Sequence, residues 1–97
     1  MEVDKLLKIS KALEWERGSR SFSCEYRGYN IEINNQIQCF TMFEVRDANN
    51  NLVIEYSSKN HKAVEDLYWS ITADFNEAEE KERKKREDVF IKLLEDV

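Results

Sequence analysis

The chain contains no proline and only two glycines among its 97 residues. Flexible linkers and interdomain hinges usually carry such residues, and no candidate linker or internal repeat is found. A chain of this length is typically one domain, so we expect residues 1–97 to form a single domain. Two glycines are also too few for a glycine-rich phosphate-binding loop.

Cysteine and histidine are also scarce. Cys24 and Cys39 do not make a disulfide framework, and both fall in strand-like segments, which favours buried free thiols. A zinc site would need both cysteines, the single His61 and a carboxylate to converge, and no cysteine–histidine nucleophile pair is indicated. We therefore expect a protein that is not an enzyme, with no catalytic residues, no metal site and no cofactor.

No apolar run approaches the roughly 20 residues that a membrane-spanning helix needs, so no membrane association is expected. The N-terminal segment MEVDKLLKISKALEWE is amphipathic and contains acidic residues, unlike the continuous apolar stretch of a secretory signal. These features and the free thiols make the cytoplasm the expected compartment.

Charge is what the chain has in excess. Charged residues make up 36% of it, and 20 acidic against 15 basic residues give a net charge of −5. An acidic surface repels phosphate backbones, so general nucleic-acid binding is disfavoured. The same charge favours a protein partner with a basic surface.

The N-terminal region predicts one helix and then a change to strands. Apolar residues at three- and four-residue spacing predict a helix over residues 3–16, with Gly18 as its C-terminal stop. From Ser21 the apolar period becomes two, and its phase slips by one at Arg27-Gly28. A two-residue hairpin would explain the slip by pairing residues 22 with 33, 24 with 31 and 26 with 29. A bulge in one long strand is the alternative.

The next segments predict a meander. Asn34-Asn35 is read as a turn, followed by a strand over residues 36–46, an asparagine-rich turn over 47–51 and a strand over 52–56. The fold class is therefore α+β: an N-terminal helix, an antiparallel sheet of three or four strands, and a long C-terminal helix.

The strand over residues 36–46 carries apolar side chains on both faces. Its odd positions, from Ile37 and Cys39 to Val45, suit a buried face. On the other face, Phe40 and Met42 form an apolar patch that Val53 of the next strand could join. Either a helix covers this patch, which we favour, or the patch is a contact surface.

The remainder, from about residue 61 to 97, predicts one long helix. Its first apolar stripe, from Val64 to Phe75, is expected to dock on the sheet and complete a helix–sheet–helix arrangement. The aromatic residues here, including Tyr68 and Trp69, are read as core. Residues 79–88, EEKERKKRED, are all charged, and their acid-first pairs at four-residue spacing favour a continuous solvated helix.

A second apolar stripe follows the charged segment. We call it the distal stripe; its residues are Val89, Phe90, Leu93, Leu94 and Val97. A continuous helix over 61–96 would be roughly 54 Å long, too long for this stripe to reach the domain's own core. Either the helix breaks near residues 76–80 and folds back, or the stripe packs against a second chain. The lack of glycine and proline favours the second chain, and a homodimer is the simplest case.

The order helix, antiparallel strands, helix resembles the double-stranded-RNA-binding domain, and the segment SKNHKA at residues 58–63 is similar to the basic helix start of that family. The resemblance implies RNA binding. The alternative hypothesis is therefore an RNA- or DNA-binding protein that uses Lys59, Lys62 and the basic side of residues 81–86. The sequence departs from the family in three ways: bulky Tyr68 and Trp69 replace small residues, the family's Gly-Pro loop is missing, and the net charge is acidic.

The same order of elements, with small size and acidic charge, also resembles phage-encoded inhibitors such as anti-CRISPR proteins. That resemblance implies a protein that blocks a basic surface of a larger protein, and it is our leading hypothesis; a purely structural homo-oligomer is a third. The acidic residues expected to bind the partner are Glu25, Glu32, Glu44, Asp47 and Glu55, together with the apolar Phe40 and Met42.

Overall fold

The computed structural model describes residues 1–35 and 40–97. Along the chain, the elements are α1 (Val3–Ser10), β1 (Glu16–Arg17), β2 (Ser21–Tyr26), β3 (Tyr29–Asn35), β4 (Thr41–Arg46), β5 (Leu52–Ser57) and α2 (Lys62–Glu95). The strands form one antiparallel sheet in the order β1-β2-β3-β4-β5. The α+β class, the meander and the long C-terminal helix are confirmed; the strand count of three or four is wrong, because β1 makes a fifth.

The extra strand exists because α1 ends at Ser10 and not near residue 16. The Ser10 hydroxyl donates to the Leu6 carbonyl at 2.8 Å, and the Trp15 indole N–H donates to the Ser10 carbonyl at 3.0 Å. The chain then turns through tight three-residue hydrogen bonds over residues 9–13, which buries Trp15 and leaves Glu16–Arg17 extended beside β2. Gly18 therefore lies in the β1–β2 turn, where its N–H donates to the Ser21 carbonyl at 2.8 Å.

The β2–β3 hairpin forms as predicted. Phe22 pairs with Ile33, Cys24 with Ile31, and Tyr26 with Tyr29. The two loop residues, Arg27 and Gly28, have φ values of 49° and 86°, as a type I′ turn requires. The alternative of one bulged strand is therefore wrong.

The turn predicted at Asn34-Asn35 is not there. Both residues extend β3, with Asn34 opposite Met42 and Asn35 opposite Thr41. The Asn35 N–H also donates to the Arg20 carbonyl at 3.0 Å, so pairing on the sheet overrides the turn preference of asparagine. The predicted strand start at Gln36 and the positions of Ile37 and Cys39 lie outside the described residues.

Both helices pack on the same face of the sheet. Phe22 of β2 lies against α2, with its ring centroid 5.5 Å from that of Tyr68 and 5.2 Å from that of Phe75. The buried apolar core consists of Leu7, Trp15, Phe22, Ile31, Ile33, Phe43, Val64, Leu67, Tyr68 and Ile71. The predicted helix–sheet–helix arrangement is therefore wrong: α1 contributes Leu7 to the same core that α2 covers, and the molecule has two layers.

Helix α2 runs without a break from Lys62 to Glu95. Its first half carries the core stripe, and an ion pair joins Glu79 to Arg17 of β1. Residues 81–97 are exposed throughout, so the helix projects and the molecule measures 60 × 28 × 25 Å. Neither α1 nor α2 has the length and apolar character to cross a bilayer.

Candidate functional site

The sheet face opposite the helices, here called the open face, has no described helix over it. Because side chains alternate along a strand, the pairing register determines which residues share it. Its side chains come from all five strands: Glu16, Ser23, Glu25, Asn30, Glu32, Asn34, Met42, Glu44, Arg46, Glu55 and Ser57.

The register places glutamates in one line across this face. Glu32 lies opposite Glu44, and Glu44 lies opposite Glu55. On the other side, Ser23 lies between Glu32 and Glu16. We call Glu16, Glu32, Glu44 and Glu55 the glutamate row. Neighbouring strands lie about 4.8 Å apart, and like charges directly opposite one another destabilise a sheet, so this row costs the fold stability.

Little positive charge offsets the row. Arg46 is the one cation among the open-face residues; its guanidinium lies 3.5 Å from the Glu44 carboxylate and also donates to the Asn50 carbonyl at 3.3 Å. Glu32 accepts a long hydrogen bond of 3.4 Å from the Asn34 side-chain amide. The other glutamates of the row point into solvent.

A shallow depression of about 480 Å³ follows the row at the β1 side of the open face. Its acidic lining residues are Glu14, Glu16, Glu25, Glu32 and Glu44. Arg46 is its single basic lining residue. The depression is open and polar, so it suits cationic side chains of a partner better than an enclosed small molecule.

Four of the predicted acidic residues are therefore brought together: Glu25, Glu32, Glu44 and Glu55 share the open face. Glu14 and Glu16 were missed, because they were assigned to the first helix and a two-residue strand has no apolar alternation to reveal it. What could have revealed Glu16 is Trp15, a large apolar residue that requires burial.

Asp47 lies elsewhere, in the β4–β5 turn. Its carboxylate accepts hydrogen bonds from the backbone N–H groups of Asn51 at 2.9 Å and Asn49 at 3.0 Å, and from the Asn51 side chain at 3.3 Å. These bonds, chiefly that from the Asn51 backbone, lower the pKa of Asp47 below its usual value. The structure gives Asp47 a role in shaping the turn.

The predicted apolar patch is not assembled as expected. Met42 is half-buried on the open face at the end of β4 that pairs with Ser57, whereas Val53 lies at the far end of β5 beside the register shift. Phe40 precedes β4, and the Lys59 ammonium lies 4.3 Å above its ring. No described helix covers Met42, so the expectation of a covered patch is wrong.

The residues considered for catalysis or metal binding do not form a site in the described part of the chain. Burial raises the pKa of the Cys24 thiol to about 11, so it is protonated at neutral pH and a weak nucleophile. His61 packs edge-on against Tyr56, with ring centroids 5.3 Å apart. Within residues 1–35 and 40–97, no three histidine, cysteine or acidic side chains come together in a way that could hold a metal ion; Cys39 lies outside those ranges.

The basic residues of the alternative RNA-binding hypothesis are partly engaged. Lys59 lies over Phe40, Lys81 is 3.4 Å from Glu77, and Arg83 is 3.0 Å from Glu80. These acidic neighbours weaken the local positive field. No protein-family model, curated protein or solved structure matches the chain, so the functional argument rests on the geometry of its own residues.

Proposed function

We propose that the protein is a non-enzymatic protein-binding module of the cytoplasm, which uses the open face to occupy and block a basic surface of a larger protein. The observation that carries this proposal is the glutamate row on an uncovered sheet with Arg46 as its one cation. An inhibitor of the anti-CRISPR kind, of phage or bacterial origin, fits this combination of small size, acidic charge and a binding face without chemistry.

The cost of the row in stability supports a role in binding. Glu44 has a like charge opposite it on both sides, and each such pair weakens the sheet by roughly 0.2–1 kcal/mol compared with a favourable pair. Lysine or arginine side chains of a partner would lie between the carboxylates and convert this repulsion into attraction. The residues that weaken the free protein therefore strengthen the complex.

The size of the face indicates what kind of complex would form. Five strands at about 4.8 Å, of which β2 to β5 are six or seven residues long, give a face of at most roughly 20 × 20 Å. This is smaller than the area that each partner contributes to a typical stable interface, about 800 Å². Charge complementarity would therefore be the main contribution, and it acts most strongly on the association rate and on specificity.

A charge reversal that keeps the sheet stable tests the proposal. In Glu32→Lys/Glu55→Lys, both new lysines lie opposite Glu44, so unfolding by urea should show equal or greater stability. Binding to an oligolysine peptide, used as a model of a basic protein surface, should weaken at least tenfold. It should also weaken as salt rises, because exposed charges are screened.

The matched control is Asp88→Lys/Glu95→Lys, which changes two exposed acids at the far end of α2. Each double variant removes two negative charges and adds two positive ones, which takes the net charge from −5 to −1. Equal losses in the two variants would mean that only net charge matters, and binding insensitive to salt would remove the electrostatic basis. Retention of duplex RNA by the wild-type protein at moderate salt in a gel shift would favour the nucleic-acid alternative instead.

A further inference from the structure

Helix α2 carries a second surface, separate from both its core stripe and the open face. Starting at Trp69, residues at alternating spacings of three and four lie along one flank of the helix: Trp69, Thr72, Asn76, Glu79, Arg83, Arg86, Phe90 and Leu93, and the same spacing continues past the helix end to Val97. We call this line the flank seam. It has the heptad spacing of a coiled-coil contact.

The flank seam is accessible along its length. Trp69 is 52% exposed, and Phe90 and Leu93 are 60% and 63% exposed, while Thr72 is partly buried. Helix α1 packs on the other flank of α2, where Lys11 lies 3.8 Å from Asp74. The seam therefore lies on the side of α2 that faces away from α1, and the reading of Trp69 as a core residue is wrong.

The residues of the seam are arranged by type. Apolar or small side chains occupy both ends, Trp69 and Thr72 at one end and Phe90, Leu93 and Val97 at the other. The centre holds the acidic Glu79, followed by the basic Arg83 and Arg86. A copy of the same helix laid antiparallel therefore brings the apolar end of each seam to the Trp69 end of the other, and it can place Arg83 opposite the acidic Glu79.

We propose that two copies of the chain pair antiparallel through the flank seam. In this register Arg83 lies opposite the partner's Glu79, Phe90 opposite the partner's Thr72, and Leu93 opposite the partner's Trp69. Next to the seam, Val89 approaches the partner's Phe75. Each projecting helix end then lies beside the docked half of the other α2, in the helix layer of the partner.

A parallel pairing in register is disfavoured by the same residues. It would place Glu79 against its own copy, Arg83 against its own copy, and Arg86 likewise. Like charges facing each other at three successive seam positions destabilise such a pair. The order of charges thus favours the antiparallel arrangement.

The length of the helix explains why a partner is needed. Beyond Glu79, the projecting part of α2 extends roughly 24 Å, and all of its residues are exposed. Isolated helices of about this length are marginal in water. Pairing would stabilise this segment and cover apolar side chains that the monomer leaves in solvent.

Sedimentation equilibrium on the full chain tests the pairing. The wild-type protein should be a dimer, and Leu93→Glu should weaken dimerisation at least tenfold. The matched control is Ile91→Glu, the same kind of change two residues away at an exposed position off the seam, which should change the dimer dissociation constant less than about threefold. Circular dichroism at high dilution should show that both variants fold.

The register makes one less obvious prediction. Glu82 lies near its own copy at the two-fold axis, so Glu82→Gln should tighten the dimer a few-fold, whereas Arg83→Gln should weaken it. A wild-type monomer at the highest soluble concentration would overturn the proposal. So would equal effects of Leu93→Glu and Ile91→Glu.

The orientation is tested by the distance between spin labels attached at Ile91→Cys in a Cys24→Ser/Cys39→Ser background. The antiparallel register separates the two labels by roughly 30 Å along the helix axis. A parallel pair would bring them to about one interhelical distance, roughly 10 Å between axes, and a short distance would overturn the register. These outcomes are independent of the proposed function, since no open-face residue is changed.

Discussion

At the residue scale, Trp15 decides how the N-terminal helix joins the sheet. Its side chain is 9% exposed and its indole N–H donates to the Ser10 carbonyl. The Ser10 carbonyl at the helix end accepts this bond together with one from the Leu13 N–H. Trp15 therefore both fills the core and fixes the point where α1 stops.

Trp15→Phe should lower the free energy of unfolding by about 1–3 kcal/mol, because the Ser10 carbonyl loses one of its two donors and the smaller ring leaves a void. For a chain of this size, 1 kcal/mol corresponds to a fall in Tm of about 4–8 °C. Urea unfolding followed by far-UV circular dichroism measures the change. Trp69→Phe at the exposed tryptophan is the control, measured at high dilution where the proposed pairing through Trp69 does not contribute to stability. An equal loss there would contradict the assignment.

The residues placed correctly from the sequence were those in strands where apolar and polar side chains alternate. That alternation determines how neighbouring strands pair. The slip at Arg27-Gly28 predicted the whole β2–β3 pairing, because an alternating apolar pattern allows only one register with all large side chains on one side. Alternation also placed Glu25, Glu32 and Glu44 away from the core. The first helix was predicted to reach residue 16, whereas it ends at Ser10, where the hydrogen bonds to Leu6 and Trp15 lie.

At the element scale, the β4–β5 turn is built around one carboxylate. Asp47 accepts from Asn49 and Asn51, and this network holds the loop residues between two strands. The asparagine-rich turn over residues 47–51 was predicted from composition, and the structure confirms it between β4 and β5. The Asn34-Asn35 turn failed because composition alone does not show which asparagines are paired on the sheet.

Asp47→Ala should lower Tm at neutral pH, and the effect should depend on pH. Since the hydrogen bonds lower the pKa of Asp47 in the folded state, its stabilising contribution is complete above the ordinary value of 3.8 and is lost as pH falls through the lower folded value. The difference in Tm between wild type and variant should therefore shrink below about pH 4. A difference that stays constant down to pH 2 would show that the charge of Asp47 is irrelevant; Asp88→Ala is the exposed control.

The arrangement of elements was harder to predict than their types. The long helix and the meander follow from apolar period and turn residues, but nothing in a period shows on which face of a sheet a helix packs. The ring of Phe22 contacts Tyr68 and Phe75, and these contacts show which face of the sheet α2 covers. That packing leaves the glutamate row exposed. The acidic residues could be predicted from the sequence, but their alignment across the strands could not.

At the scale of the whole molecule, the shape is a compact sheet-and-helix body with a projecting rod. The extent of 60 Å along one axis is more than twice that along the others. The distal stripe lies at the end of the rod, with each of its residues at least 56% exposed. A molecule of this shape divides its surface into one acidic face and one apolar end.

The proposed dimer should make thermal stability depend on concentration, because any association of folded chains stabilises them by mass action. Tm of the full chain should rise over a hundredfold increase in protein concentration, whereas Tm of a version truncated after Lys81 should not. At high dilution the two should unfold at nearly the same temperature, since residues 82–97 are exposed throughout. A lower Tm for the truncated version at every concentration would contradict this account.

The meander has a consequence for how the protein folds. Each strand pairs with the strand that precedes or follows it in the chain, so the sheet can assemble by successive closures of short loops, which favours rapid folding. Helix α2 comes last in the chain, and its docking needs side chains from three strands already in place. Changes at the Arg27-Gly28 turn should therefore act mainly on the refolding rate, and changes in the α2 half of the core mainly on the unfolding rate.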